Sequence, residues 1–384
     1  MRITTSKESL NTAISVVQRA INQKSIIPLY SCIKLEVRGN VAVFTGTGLD
    51  TIIECSIPVQ TEREGVALIP ARYFGDIVRR LPDIPVTLEH SENLEMTIRY
   101  DKSVFTIRTM ASDDFPSMEP YRGSLAFSVE PNTFKRLVRQ SSFAASTDEM
   151  KAVFTGLLWE ISGDEVSVVG TDTHRLAWTK GSIVREDQGN IEDSKGKENN
   201  DAPDDKETNA SFIIPARIAA EIARLIQSDD CIIRVEKNTV FFSFDQIKIS
   251  CRVLEGTFPN YRQVIPGKFV TSIKVDSNLL RDTTERTSLF AASGETSSTI
   301  HLDIEDGALS VYSQSDIGFG REEIEVLQDG DNLKIAFNAR YLTDVFKVME
   351  GEKTDMQFSG QLSACVMREE GDKNFLYLVL PIKV

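Results

Sequence analysis

IPARYFGDIVRRL, residues 69–81, returns as IPARIAAEIARLI at 214–226 and as FNARYLTDVFKVM at 337–349. Counted from Arg72, Arg217 and Arg340, apolar residues or alanine stand at offsets two, five, six and nine in every copy. These are Phe74, Ile77, Val78 and Leu81; then Ala219, Ile222, Ala223 and Ile226; then Leu342, Val345, Phe346 and Met349. Residues three and four apart share one face of a helix, so each set predicts one buried stripe. A stripe repeated in phase three times points to a tandem repeat.

The flanks repeat as well. Short alternating runs follow each helix: VTLEH, LEMTIRY and SVFTIRT, then CIIRVEK, TVFFSF and IKISCRVL, then DMQFS, ACVMRE and FLYLVLPI. Alternation of this kind reads as antiparallel strands with one wet face. The copies close on Phe115-Pro116, Phe258-Pro259 and Leu380-Pro381, the last of these four residues from the C-terminus. Each copy also has an earlier half with the same grammar. Helices are expected over 6–21 (Leu10, Ala13, Ile14, Val17, Ile21), 131–143 (Phe134, Leu137, Val138) and 276–288, each followed by three strands. The expected fold is α+β, with strand–helix–three strands performed twice per domain. Three such domains are expected, at 1–122, 123–266 and 267–384.

Spacing gives a check on this scheme. The helix openings lie 145 and then 123 residues apart, so the middle copy carries about 22 extra residues. Segment 186–209 supplies them, with nine acidic residues, three lysines and only Ile191 as a sizeable apolar group. Such a segment cannot bury enough surface to offset its ordering entropy, and it is expected to be a disordered loop, with an acidic interaction tail as the alternative.

With 41% hydrophobic and 26% charged residues, the 384-residue chain reads as soluble and cytoplasmic, with several cores. The opening MRITTSKESL has no apolar run long enough for a signal peptide, and no later stretch reaches transmembrane length. Cys32, Cys55, Cys231, Cys251 and Cys365 are dispersed, without a C-x-x-C pair, as suits small buried residues in a reducing compartment. His90, His174 and His301 are far apart in sequence, so neither zinc nor any other cofactor is expected.

A net charge of −14 argues against nucleic acid until the charges are located. The six predicted helices together carry +7, which leaves −21 on strands and loops. Lys135, Arg136 and Arg139 make the middle repeat's first helix the most basic. Arg79 and Arg80 join Arg72 on the second helix, and Arg224 joins Arg217 on the fourth. In a sheet-and-helix domain the helices share one face. If that face is concave, a positive lining attracts a polyanion while a negative exterior discourages adventitious binding. With no base-reading motif, any grip would be backbone-directed and sequence-neutral.

Catalysis has little support. Asp172 and His174, read as alternate residues on a strand, lack a G-x-S-x-G elbow or a partner carboxylate cluster. Gly46-Thr47-Gly48 lies in a strand-rich stretch with no following helix, which is not a nucleotide loop. A repeat scaffold that binds proteins and no DNA would also explain repeats and acidity. It would leave the separation of sign between helices and strands a coincidence.

Three tandem repeats, Thr171-Asp172-Thr173-His174-Arg175-Leu176-Ala177, Phe258-Pro259-Asn260-Tyr261, Phe337-Asn338-x-x-Tyr341 and a C-terminal Leu-Pro-Ile-Lys-Val together resemble the bacterial sliding clamps, the beta subunit family of DNA polymerase III. The resemblance covers the chain except the acidic insertion. It implies a head-to-tail homodimeric ring around double-stranded DNA, non-catalytic, with helices inside and sheets outside. Implied partners are the polymerase III catalytic subunit, an ATP-driven clamp loader, and other polymerases and repair proteins that share a peptide pocket. Location at the nucleoid during replication follows, and no membrane is involved.

Matched by position, the resemblance places the pocket at Phe154, Thr171, Thr173, His174, Arg175, Leu176, Pro259 and Val264, completed by Asn338, Tyr341, Leu362, Leu378 and Leu380. Thr173 stands where glycine is common, Gln263 where a basic residue is frequent, and Leu362-Ser363-Ala364 lacks a frequent proline. For DNA it implies Lys24 and Arg72, with Lys151 and the helix cations beside them. For the dimer seam it implies Ile77, Leu81 and Phe105 of one copy against Leu289 and Phe290 of the next, with Glu322, Glu323 and Glu325 facing cations such as Lys102 at the rim.

Overall fold

The computed structural model describes all residues except 23–25, 113, 124, 187–208, 292–297 and 384. The expected disordered loop at 186–209 therefore lies, apart from its two end residues, outside the described residues, as does Lys24. Two compact units are present. The first holds Met1–Pro131, Glu221–Val253 and the stretch that begins at Val184; the second holds Asn132–Ile183, the stretch that ends at Ala220, and the chain from Leu254 onward.

Six α-helices occur among the described residues: α1 Lys7–Val17, α2 Ala71–Arg80, α3 Pro131–Ser142, α4 Ala216–Leu225, α5 Ser277–Ala291 and α6 Ala339–Phe346. Each follows a strand directly, or in α3 after the single residue Glu130, as the repeat requires. Ser6 caps α1 by accepting from Ser9 N, and Asn338 caps α6 by accepting from Arg340 N. The stripe positions are buried or half-buried throughout. Ile77 is half-exposed, whereas its counterparts Ile222 and Val345 are buried.

All sheet pairing is antiparallel. In the first unit a five-stranded sheet runs Gln60–Arg63, Arg2–Ser6, Pro85–His90, Glu95–Tyr100, Ser103–Arg108. A nine-stranded sheet runs Val184–Arg185, Leu125–Val129, Cys231–Val235, Thr239–Phe244, Ile247–Arg252, Thr51–Pro58, Val41–Thr47, Cys32–Arg38, Gly65–Pro70. In the second unit a nine-stranded sheet runs Ala210–Pro215, Gly156–Ser162, Glu165–Thr171, Arg175–Ser182, Phe375–Val379, Cys365–Glu369, Lys353–Phe358, Thr271–Asp276, Leu327–Gly330. Gly318–Glu325, Ala308–Ser315, Thr299–Glu305 and Leu333–Asn338 form its four-stranded sheet.

The nine-stranded sheets join one repeat to the next. Ile249 pairs with Ile53, and Leu176 pairs with Leu378. Backbone hydrogen bonding thus crosses the repeat seams, and the middle repeat is divided between the two units. Each first half also carries a fourth short strand that the alternation reading missed: Gln60–Arg63, Val184–Arg185 and Leu327–Gly330, paired to the leading strand of its half. These are two to four residues long and mostly polar, so no apolar period marks them.

One register position shows how helix and sheet meet in every repeat. A Cβ on Gly46 would lie 2.2 Å from Val17 O at the end of α1, and one on Gly170 would lie 2.2 Å from Ser141 O of α3. Only glycine allows that approach. The third repeat has Ser313 there, and its hydroxyl donates to Thr287 O of α5 instead. Gly46 is thus explained by packing. The five cysteines are free and buried, and burial alone pushes the Cys55 thiol up to about 11.

Candidate functional site

The strands Glu165–Thr171 and Arg175–Ser182 are joined by the turn Asp172-Thr173-His174, so Asp172 and His174 belong to a turn and not, as expected, to a strand. Asp172 Oδ1 accepts from His174 N at 2.9 Å and Arg175 N at 3.0 Å, and Oδ2 accepts from Arg175 Nε at 2.9 Å. One carboxylate therefore fixes the turn and the arginine that follows it. Thr173 at its tip has φ of 81°, the region glycine occupies without cost. Thr171 Oγ1 donates to Arg175 O at 2.6 Å and accepts from Thr173 N at 3.2 Å.

Arg175 is only 7% exposed. Its Nη1 reaches Asp344 Oδ2 of α6 at 2.9 Å, and its guanidinium lies 4.5 Å from the centre of the Tyr341 ring. Burial pushes the Asp344 carboxyl up, but hydrogen bonds from Lys347 and Arg175 together hold it below the ordinary aspartate range. Burial opposes the charge of Arg175, yet Asp344 and Asp172 raise its pKa above the usual value. Tyr377, buried beneath this group, donates to Tyr341 O at 2.9 Å.

The other walls come from the C-terminal strand and the linker that follows the middle repeat. Leu380 N donates to His174 O at 2.9 Å, extending the ladder in which Leu176 meets Leu378. Tyr261 is buried and donates to Glu160 Oε2 at 2.7 Å, and the same carboxylate accepts from Arg262 Nη2 at 2.7 Å and Nη1 at 3.1 Å. Burial, then Glu160, pushes the Tyr261 hydroxyl far above its ordinary value. Phe154 packs edge-on to Phe258 at 6.1 Å.

These pieces enclose a cleft of about 230 Å³ that lies wholly within the second unit. Phe154, Thr171, Thr173, His174, Arg175, Leu176, Pro259, Val264, Leu378 and Leu380 line it, together with Phe258, Asn260 and Tyr261. Leu176 and Leu378 form a floor at 3% exposure, while Val264 at 55% and Leu380 at 41% stand at the mouth. Phe258, Asn260 and Tyr261 belong to the F-P-x-Y motif and are not among the expected pocket residues. An F-P-x-Y run holds three apolar or aromatic residues in a loop, and that was the signal for them.

Three expected pocket residues lie outside the lining. Asn338 is used as the cap of α6, Tyr341 stacks under Arg175, and Leu362 is 69% exposed. Among the expected DNA cations, Arg72, Lys151 and Arg217 are exposed and Lys135 is half-buried. Arg79 and Arg80 lean on Asp76, Arg139 on Glu350 and Arg224 on Glu221, all at the surface. Arg136 is spent inside the fold, donating to Gln140 Oε1, Thr179 Oγ1 and Lys180 O. Helices α2, α3 and α4 carry formal charges of +2, +3 and +1, while α1, α5 and α6 are neutral. The positive charge is therefore narrower than expected, because Arg19 and Lys347 lie just beyond their helices.

Of the residues expected at a seam, Phe105 is 41% exposed on the terminal strand Ser103–Arg108, and Leu289 is 68% exposed on α5. Ile77 and Phe290 are half-buried and Leu81 is buried. Phe290 lies over Gly318 and Gly320. Glu322 is held by Arg286 at 2.6 Å, and Glu323 accepts from Ser310 at 3.0 Å.

A threefold repeat of this strand–helix unit, with an apolar cleft beside a T-D-x-H-R-L turn, defines a DNA sliding clamp. Models of the DNA polymerase III beta subunit match residues 1–119 as its N-terminal domain, 128–192 and 198–260 as its central domain, and 262–383 as its C-terminal domain. The chain belongs to the DNA polymerase III beta subunit family. It is 26% identical to the beta sliding clamp of Staphylococcus aureus (strain Mu50), covering 100% of this chain and 99% of that protein. The crystal structure of the Bacillus subtilis DNA polymerase sliding clamp superposes with a TM-score of 0.91 at 26% identity, over 100% and 99% of the two chains. The Pseudomonas aeruginosa clamp bound to griselimycin superposes with a TM-score of 0.90 at 26% identity, over 100% of both chains.

Proposed function

We propose that two copies of this chain pair head-to-tail into a ring that encircles duplex DNA, slides without reading sequence, and tethers a polymerase through the cleft. The observation that carries this reading is a pair of strand edges, in the first and last repeats, that have no partner strand among the described residues. Ser103–Arg108 ends the five-stranded sheet, and Gly318–Glu325 ends the four-stranded sheet. Val104 and Phe105 are 52% and 41% exposed on one, Phe319 is 53% exposed on the other, and Leu289, 68% exposed on α5, is next in sequence to the Phe290 that lies over Gly318 and Gly320. Long free edges with apolar side chains invite pairing with another chain. Joining first repeat to last uses both edges and closes the assembly, as a head-to-tail interface does when its rotation completes a circle. Lys102 and Glu325 would supply rim selectivity more than strength.

Within such a ring of three repeats per copy, bounded at 1–122, 123–266 and 267–384, the basic helices α2, α3 and α4 would face phosphate. Arg72, Arg217, Arg139 and Lys135 are the cations we assign to that contact. The cleft suits a short peptide with a leucine and an aromatic residue, because a floor of leucines is ringed by a few oriented polar groups. The reading assigns no catalysis and no cofactor, and a cytoplasmic location at the replicating nucleoid.

The test is topological. Protein loaded on a nicked circle by its loader and ATP should co-elute with DNA and leave once the circle is cut to a line. Retention on the linear product would contradict encirclement.

A further inference from the structure

The cleft of the second unit has a counterpart in the first, built by the same elements one repeat earlier. Thr47 pairs with Ile52 across its turn as Thr171 pairs with Leu176. Ile52 pairs with Ser250 where Leu176 pairs with Leu378. Arg252 N donates to Asp50 O at 2.9 Å where Leu380 N donates to His174 O at 2.9 Å. Tyr30, two residues before the strand opening at Cys32, takes the place of Phe154, two before Gly156. These residues line a cavity of about 300 Å³ that lies entirely in the first unit.

Its chemistry is different. Ser250 and Arg252 stand where the second cleft has Leu378 and Leu380, so one side of the floor and of the mouth has become polar while Ile52 keeps the place of Leu176. Ser250, paired with Ile52 and on the same face of the sheet, lines the cavity at 8% exposure and has no side-chain hydrogen-bond partner among the described residues, while Thr51, paired with Cys251, turns its side chain to the other face. A ligand donor or acceptor can bond to this hydroxyl, a directional contact that a leucine at the same position could not make. Asp50, Glu119 and Glu236 outnumber Arg252 around the opening, and none of the four is in a salt bridge among the described residues. Leu49, 79% exposed at the tip of the turn, gives an apolar ledge for the stem of a long cationic side chain.

We propose that this cleft is a second peptide-docking site, selective for a short basic segment that also carries hydrogen-bonding side chains. Lysine or arginine meets the carboxylates, and a hydroxyl or amide reaches Ser250. The carboxylates that favour such a segment repel nucleic acid. The inference rests on reading the second-unit cleft as a peptide site, so the two are tested with separate probes.

Fluorescence polarisation on the full chain would use two labelled peptides, Lys-Ser-Lys-Gln-Lys-Ser and an uncharged pentapeptide carrying leucine and phenylalanine. Asp50→Asn combined with Glu119→Gln, both exposed, should weaken the basic peptide by about fivefold and leave the apolar one unchanged. A control pair, Glu62→Gln with Glu285→Gln, removes the same charge elsewhere and should change binding by less than about twofold. Equal weakening in both pairs would mark diffuse attraction to an acidic chain and overturn the proposal. So would absence of binding to the parent protein. Failure of the apolar peptide alone would count against the second-unit reading instead.

Discussion

Arg175 Nη1 lies 2.9 Å from Asp344 Oδ2, tying the turn that shapes the cleft to helix α6. The guanidinium is 7% exposed and the aspartate side chain 14%, whereas the other cations on Asp344, Lys347 and Arg340, are largely exposed. Removing Arg175 takes the one buried cation from both Asp172 and Asp344 and leaves Asp344 only the exposed Lys347 and Arg340. Arg175→Ala should destabilise the second unit by about 3 kcal/mol, seen as a lower urea midpoint. A change below about 0.5 kcal/mol would show the pair to be solvated.

The same pair gives a pH dependence. The folded pKa of Asp344 is depressed, so its contribution is complete above the unfolded aspartate value, near about pH 4, and fades as pH falls through the lower folded value. Parent and Asp344→Asn proteins should therefore converge in stability as the solution is acidified. A gap that stayed constant down to the lowest folded pH would contradict this linkage.

Thr173 has φ of 81°, a region that a β-branched residue enters only at a cost. Thr173→Gly should raise stability by about 1 kcal/mol by thermal denaturation, less what glycine adds to unfolded-state entropy. Destabilisation would mean the threonine contacts outweigh the strain.

Gly46, Gly170 and Ser313 share one register position but not one tolerance. Gly170→Ala places a methyl 2.2 Å from Ser141 O and should cost about 3 kcal/mol in urea unfolding. Ser313→Ala loses a single buried hydrogen bond to Thr287 O and should cost about 1 kcal/mol. Equal costs would refute the claim that close approach holds the glycines in place.

Cations on the helices should separate by role. Arg72→Ala with Arg217→Ala should lower the salt slope of duplex binding by about two per subunit without loss of stability. Arg136→Ala, whose guanidinium bonds Thr179 and Lys180 O, should lower stability with little change in slope. The reverse pattern would contradict the assignment.

Period and repetition made the fold legible, because a helical stripe at 74, 77, 78 and 81 and its two echoes need no knowledge of contacts. What the period could not show were elements held by backbone bonds alone. The short polar strands Gln60–Arg63 and Leu327–Gly330 pair through main chain, and the sheets that cross the repeat seams do the same. At the cleft, the T-D-x-H-R-L run pointed to the right turn, but Tyr341 and Asn338 proved to be supports for Arg175 and α6 and not its lining. Side-chain direction within a helix turn is a tertiary fact that a motif does not carry.

The ring is tested most directly by light scattering combined with small-angle scattering on the purified protein at low micromolar concentration. The account predicts twice the 42.9 kDa chain mass and a profile that requires a central hole wide enough for duplex DNA. A compact monomer at every concentration would contradict it.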